Sequence, residues 1–253
     1  MFFTDPVYIG IDLTSGHKAL TYAALDHDLN LVALADAEWE ETFAFLAGHK
    51  SAVVAINAPS HVNHGIARKN LGGQRLASRS LHGQEMRVAE YELRQRGIAV
   101  RGTDAKESLC PVGVRAGFAF YKELSQLGFE AYPCDNAPHQ WLETNSYACF
   151  CVLIGLRPLP KTTLEGRLQR ELLLYELGFR IGDPMVFFEE ITRHKLMHGV
   201  LPFELVYSPA QLDAMAAAYA AWQAVQKPAE IVQVGHRLEG FVTLPVSALK
   251  EKY

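Results

Sequence analysis

Short apolar runs alternate with polar punctuation through the first sixty residues. Val7-Tyr8-Ile9-Gly10-Ile11-Asp12-Leu13 is apolar but for one acid near its end, the mark of a buried strand. Residues 19–25 and 30–35 repeat the signal and are joined by the polar turn Asp26-His27-Asp28. Residues 38–48 set Trp39, Phe43 and Leu46 on one side, which predicts a short helix. Ala52-Val53-Val54-Ala55-Ile56-Asn57 is a further buried run, closed by Ala58-Pro59-Ser60. The predicted order is strand, strand, strand, helix, strand: a meander, then a crossover to a parallel strand.

Residues 61–84 are polar, rich in Gly, Ser and Asn, and without periodicity, which predicts a long functional loop. Residues 84–96 read as a helix ended by Gly97, followed by a strand-like scrap at 98–100. Residues 112–127 form a helix ended by Gly128. Residues 140–143 form a short strand with a carboxylate at its end, and Thr144-Asn145-Ser146 starts another helix. Further helices are predicted at 164–177 and 184–196. A long Ala-rich one at 208–226 has Ser208 at the N-cap and Pro209 at the first helical position. Residues 231–234 and 240–244 pair as a terminal hairpin across Gly235-His236-Arg237, within 231–245. No repeat or linker divides the chain, so residues 1–253 read as one α/β domain with helical insertions in the C-terminal half.

Composition narrows the class. Of 253 residues, 49% are hydrophobic and 21% charged, which excludes a disordered, collagenous or coiled-coil chain. No apolar run approaches a membrane span, and the N-terminus lacks a signal peptide's basic region and apolar core. The expectation is a cytoplasmic chain with no membrane partner. Cys110, Cys134, Cys149 and Cys151 lack the paired spacing of a zinc ribbon and the density of a disulfide scaffold, so they read as reduced thiols.

The net charge of −4 conceals an asymmetry. Between Arg68 and Lys106 nine basic residues face four acids, a local charge of +5, which leaves −9 on the rest. Such a segment suits a polyanion; the plainer reading is a solvated helix face with Glu90 and Arg94 paired four apart.

The candidate chemistry lies at strand ends. Asp12, Asn57 and Glu143 each close a buried run and precede a hydroxyl residue or an Ala-Pro-Ser turn. Parallel neighbours would align the three along the carboxyl edge of the sheet, where open α/β sheets bind ligands. Carboxylates gathered at a buried edge need a compensating cation, and oxygen-only ligands favour Mg²⁺ or Mn²⁺. Asp213 is a fourth candidate. Ala217, Ala220, Ala221 and Ala224 leave its helix a thin face that can approach the sheet and bring Asp213 toward the first strand. The plainer readings are a turn for Asp12, a helix cap for Glu143 and a helix-dipole position for Asp213.

These residues resemble a known pattern. A Gly-x-Asp first strand, three antiparallel strands, a crossover to a parallel strand with a polar end and a late helical Asp are similar to the RNase H-like fold. More closely, the chain resembles the bacterial and archaeal family labelled domain of unknown function 429, predicted to be RNase H-like nucleases. The matching pieces are Gly10-Ile11-Asp12, Val54-Ala55-Ile56-Asn57-Ala58-Pro59, the Glu90/Arg94 helix, Leu142-Glu143-Thr144-Asn145, Leu212-Asp213-Ala214-Met215, Leu238-Glu239-Gly240-Phe241 and Leu244-Pro245. The resemblance implies a mixed five-stranded sheet flanked by helices. It also implies a metal site of Asp12, Glu143 and Asp213, with Asn57 assisting. The family pattern usually has Asp at the position of Asn57, and the amide removes one negative charge. One metal is then better supported than the two of a two-metal clamp.

Three functions remain open from sequence. The first is a Mg²⁺- or Mn²⁺-dependent nuclease that hydrolyses nucleic-acid phosphodiesters. Its backbone contacts would come from the basic segment, with Arg68, Arg87 and Arg94 as candidates, and from Thr14 and Ser15 after the first strand. The second is an actin- or sugar-kinase-like phosphotransferase, which needs a second domain that 253 residues hardly provide. The third is a nucleic-acid or protein-binding module with a degenerate site. His61 and His64 flank a strand end but read as solvated loop residues, and His194 and His198 lack the Glu of a zinc-helix pattern. The Ser and Thr hydroxyls show no base partner for a hydrolase triad. Glu239 reads as a turn residue within reach of the site. The sequence leaves the oligomeric state open.

Overall fold

The computed structural model describes residues 6–13, 19–71 and 86–253. The opening meander is β1 (Val7–Asp12), β2 (Ala19–Leu25) and β3 (Leu31–Glu38), followed by helix α1 (Trp39–Ala47) and β4 (Ala52–Ile56). Then come α2 (Ile66–Leu71), α3 (Val88–Gln95), α4 (Val112–Gln126), β5 (Glu130–Ala131), β6 (His139–Glu143), α5 (Ser146–Ile154) and α6 (Leu164–Glu176). The chain ends with α7 (Val186–Glu189), α8 (Arg193–Met197), α9 (Pro209–Gln226), β7 (Val232–His236) and β8 (Gly240–Leu244).

Among the described residues eight strands form one mixed sheet in the order β3-β2-β1-β4-β6-β8-β7, with β5 beside β6. β1 is antiparallel to β2 and parallel to β4, and β4 is parallel to β6, as the strand order along the sequence predicts. The sheet is wider than the five strands expected. The terminal hairpin joins it through Glu143 and Val242, and β5 is only two residues long, too short to leave a periodic signal.

The pleat sends alternate residues to two cores. Tyr8, Ala23, Val53, Ala55 and Leu142 pack with α3, α5 and α9 on one face. Ile9, Ile11, Val54 and Ile56 pack with α1 and α4 on the other. Helix α9 begins as its sequence predicts: the Ser208 hydroxyl accepts from the Gln211 amide at 3.2 Å, and Gln211 Oε1 accepts from the Ser208 amide at 2.8 Å. It lies directly against β1. A Cβ on Gly10 would stand 2.0 Å from the Ala214 carbonyl oxygen and 2.2 Å from the Ala218 nitrogen, so only glycine admits that approach.

Three local expectations change. Residues 184–196 form two short helices, because Thr192 accepts from the Lys195 amide at 3.1 Å and starts a new one. Ile98 and Val100 are buried without joining a ladder. The long polar stretch contains α2, and its residues from 72 onward lie outside the described residues. No helix among the described residues is long and apolar enough to cross a membrane. All four cysteines are free thiols.

Candidate functional site

Strand register decides which of the predicted side chains meet. Ile11 pairs with Ile56, and Ile56 pairs with Glu143. Glu143 therefore occupies the row of the two isoleucines, one residue short of the row that holds Asp12 and Asn57. A one-residue offset reverses the face in a pleated strand. Asp12 and Asn57 turn toward α9, and Glu143 turns away from it.

On the α9 side a polar chain is assembled. Asn57 Nδ2 donates to Asp12 Oδ1 at 2.8 Å, and Asn57 Oδ1 accepts from the Ser146 amide at 2.9 Å. Ser146 Oγ in turn donates to the Asp213 carbonyl at 2.6 Å, tying the start of α5 to α9. Asn57 thus serves as donor and acceptor at once, which a carboxylate cannot do. Asp12 is fully buried and Asp213 nearly so. Burial pushes the Asp213 carboxyl up to about 6; Lys161 opposes the rise and the charge of Asp12 adds to it. Lys161 Nζ donates to Asp213 Oδ2 at 2.5 Å.

Glu143 belongs to a second network. Arg87 Nη2 reaches its Oε1 at 2.5 Å and Arg87 Nη1 its Oε2 at 3.0 Å, a bidentate grip. The amide and hydroxyl of Ser60 donate to the same Oε2 at 2.8 and 2.6 Å. His61 Nδ1 lies 2.8 Å from the Ser60 hydroxyl, and burial pulls the His61 imidazole below its ordinary value. Arg87 Nε also bonds Glu90, which takes the hydroxyl and amide of Thr103. Burial works against the Arg87 charge, but Glu143 and Glu90 together hold it well above its ordinary value. Glu239, fully buried, accepts from the amides of His64, Ile66 and Val88 and so holds the starts of α2 and α3. The hairpin comes this close because residue 240 is glycine: a Cβ there would stand 2.4 Å from Ser60 Oγ.

Members of both networks line one cleft of about 600 Å³ at the carboxyl ends of β4 and β6, while Asp12 is fully buried. Its walls include Asn57, Glu143 and Asp213, with Arg101, Lys161 and Arg170 supplying cations beyond the Arg87 cluster. Arg170 is 1% exposed. Its Nη1 donates to the carbonyls of Leu159 and Gly166, and Phe150 lies under the guanidinium at 5.1 Å. Its Nε has no partner among the described residues.

The structure therefore brings Asp12, Asn57 and Asp213 together and gives Glu143 to Arg87. Among the described residues no group of three or more His, Cys, Asp and Glu side chains is placed to share a metal ion. Of the candidate substrate contacts, Arg87 is buried among carboxylates, Arg94 donates to the Val100 carbonyl at 2.8 Å, and Arg68 is exposed on α2. Thr14 and Ser15 lie outside the described residues. The expected Glu90–Arg94 pair does not form, since Glu90 turns inward to Arg87; Arg96 and Glu92 pair instead at 3.6 Å. His194 and His198, the latter just past the end of α8, stack at 4.3 Å. Lys161 and Arg170 escaped the sequence reading. Arg170 sits in a polar stretch of α6 among other basic and acidic residues, and only its burial distinguishes it.

The sequence pattern of one family, described as Protein of unknown function (DUF429), matches residues 10–233. The chain belongs to that family. The match runs from Gly10 to Gln233 and so takes in Asp12, Asn57, Arg87, Glu143, Lys161, Arg170 and Asp213, every residue of the two networks except Glu239. No curated protein matches the chain.

Proposed function

We propose that this member of the DUF429 family is a phosphodiesterase of RNase H-like design acting on nucleic acid, with the Asp12–Asp213 pair as its reacting centre. The observation that carries the reading is the meeting of two buried carboxylates at the carboxyl end of β1, with Asp213 held at about 6 by burial, against Lys161 and with Asp12 adding to the rise. The pair attracts positive charge, and Lys161 already answers it at 2.5 Å.

The donor set fits one Mg²⁺ or Mn²⁺, which keeps several waters and needs only one or two carboxylates beside substrate phosphate. Asp12 and Asp213 would hold it, and a bound ion would activate water and offset charge on the phosphate. Asn57 fixes the Asp12 carboxylate without adding charge. Ser146 and the α5 start hold Asp213 in place through the helix backbone. Lys161, whose side chain is 42% exposed, would leave Asp213 for a phosphate oxygen. The Arg87–Glu143 pair shapes the cleft wall.

Asp12→Asn keeps the shape and removes the charge. Cleavage of single-stranded and duplex oligonucleotides with Mn²⁺ should fall at least about a hundredfold while the melting transition persists; undiminished cleavage would sink the assignment. A second reading, a binding module without chemistry, gains from the full neutralisation of Glu143 by Arg87 and Ser60. Calorimetry with Mn²⁺ separates the two, because the binding module should take up no ion at Asp12 and Asp213.

A further inference from the structure

The cleft holds one cation whose position the proposed hydrolysis at Asp12 and Asp213 does not explain. Arg170 is 1% exposed, lines the cleft, and makes no ion pair among the described residues; the charge of Asp213 supports it only from beyond contact. A buried guanidinium ordinarily pairs with an acid and satisfies its N–H groups. Here Nη1 alone bonds protein, to the carbonyls of Leu159 and Gly166, and those bonds fix the plane of the group. Nε donates to no group among the described residues, and burial pulls the guanidinium below its ordinary value. Nε is itself sealed from solvent, and Nη2 likewise has no protein acceptor among the described residues, so the edge that recognises carboxylate or phosphate is unsatisfied.

Its surroundings match an anion. The 158–160 strap packs tightly on α6, since a Cβ on Gly166 would stand 1.9 Å from the Pro160 carbonyl oxygen. Lys161 follows that strap directly, and both it and Arg170 act on the Asp213 carboxylate; Arg101 also lines the cleft. Lys161 uses one donor on Asp213 and has two left. A guanidinium this deeply buried is reached only by the end of a ligand. A phosphodiester is flanked by a sugar on each side; a phosphomonoester ends in three free oxygens.

We propose that Arg170, with Lys161, forms a subsite for a terminal phosphate, so that the substrate is a nucleic-acid end or short nucleotide bearing a phosphomonoester. This rests on the phosphodiesterase reading for its substrate and on the Arg170 geometry for its chemistry. A cleft of about 600 Å³ has room for one or two nucleotides at a strand end.

The test is calorimetry without metal, using inorganic phosphate and three dinucleotides: 5′-phosphorylated, 3′-phosphorylated and hydroxyl-ended. One phosphorylated form should bind at least about tenfold more tightly than the hydroxyl-ended form, and which one does identifies the end recognised. Arg170→Gln should erase that preference, and Lys161→Gln should weaken it several-fold. Equal affinity for all three dinucleotides, or a preference untouched by both variants, overturns the subsite. Should Arg170→Gln fail to fold, Lys161→Gln and Arg170→Lys decide, the latter expected to keep the charge and lose most of the preference. Because binding is read without metal, an Arg170-dependent preference in a protein that cleaves nothing overturns only the phosphodiesterase reading. Cleavage with no such preference overturns only the subsite.

Discussion

At Asn57 one amide does two jobs: its NH₂ donates to Asp12 at 2.8 Å and its oxygen accepts from the Ser146 amide at 2.9 Å. Asn57→Asp would set a second carboxylate against Asp12 with no proton between them. At pH 7 this variant should lose about 2–3 kcal/mol of stability, measured by urea unfolding. The new carboxyl is disfavoured when ionised, so the loss is full above its raised folded pKa and should shrink toward pH 4; a loss equal at both pH values would contradict the pairing. Asp213 follows the same sign. Its folded value of about 6 lies above the ordinary 3.8. Both states are neutral below 3.8, and the unfolded chain ionises first as pH rises. Stability is therefore lost between 3.8 and 6, by about 3 kcal/mol in all. Asp213→Asn should accordingly unfold at higher urea than wild type at pH 7.5, with the difference gone near pH 4. Coincident midpoints at pH 7.5 would show that Lys161 already neutralises the carboxylate.

Helix α9 owes its placement to small residues on both sides of one seam. Ala214 and Ala218 present backbone to β1, and Gly10 leaves the space for it. Gly10→Ala would push its Cβ into the Ala214 carbonyl at 2.0 Å. The helix must shift, at a cost of about 2–4 kcal/mol by urea unfolding, and Asp213 moves away from Asp12 with it. The Asp213 titration should then fall toward the ordinary range, which NMR of the carboxyl group would read. An unchanged titration with full stability would mean that α9 does not rest on that seam. Strand β6 illustrates the opposite case. Its sequence carries a carboxylate at the end like its neighbours, yet its register sets Glu143 one residue short. Nothing within the strand itself encodes that offset, because register arises from pairing across the sheet.

Across the whole molecule stability is uneven. Strands β1 and β4 and most of α9 are buried, whereas α7 and α8 expose Phe188, Leu196 and Met197. Amides of α8 should exchange well before those of α9, and limited proteolysis should cut near residues 190–200 before it cuts α9. Protection of α8 equal to that of α9 would mean that those apolar groups are covered in solution. The strands β1 to β4, the helices with clear caps and the parallel crossover were legible in the sequence, because alternation, apolar periodicity and cap residues act within a few positions. Asp12, Asn57 and Asp213 were legible for the same reason: a polar group ending an apolar run, and an Ala-rich face that can only pack closely. The sequence by itself determined the elements, the thin face of α9 and the polar residues that end the strands. Tertiary structure alone decided that Glu143 goes to Arg87, that Glu239 holds two helix starts, and that Lys161 and Arg170 meet in one cleft. Those outcomes depend on register, pleat and long-range packing, which bring together residues as far apart as Ser60 and Glu143 or Lys161 and Asp213.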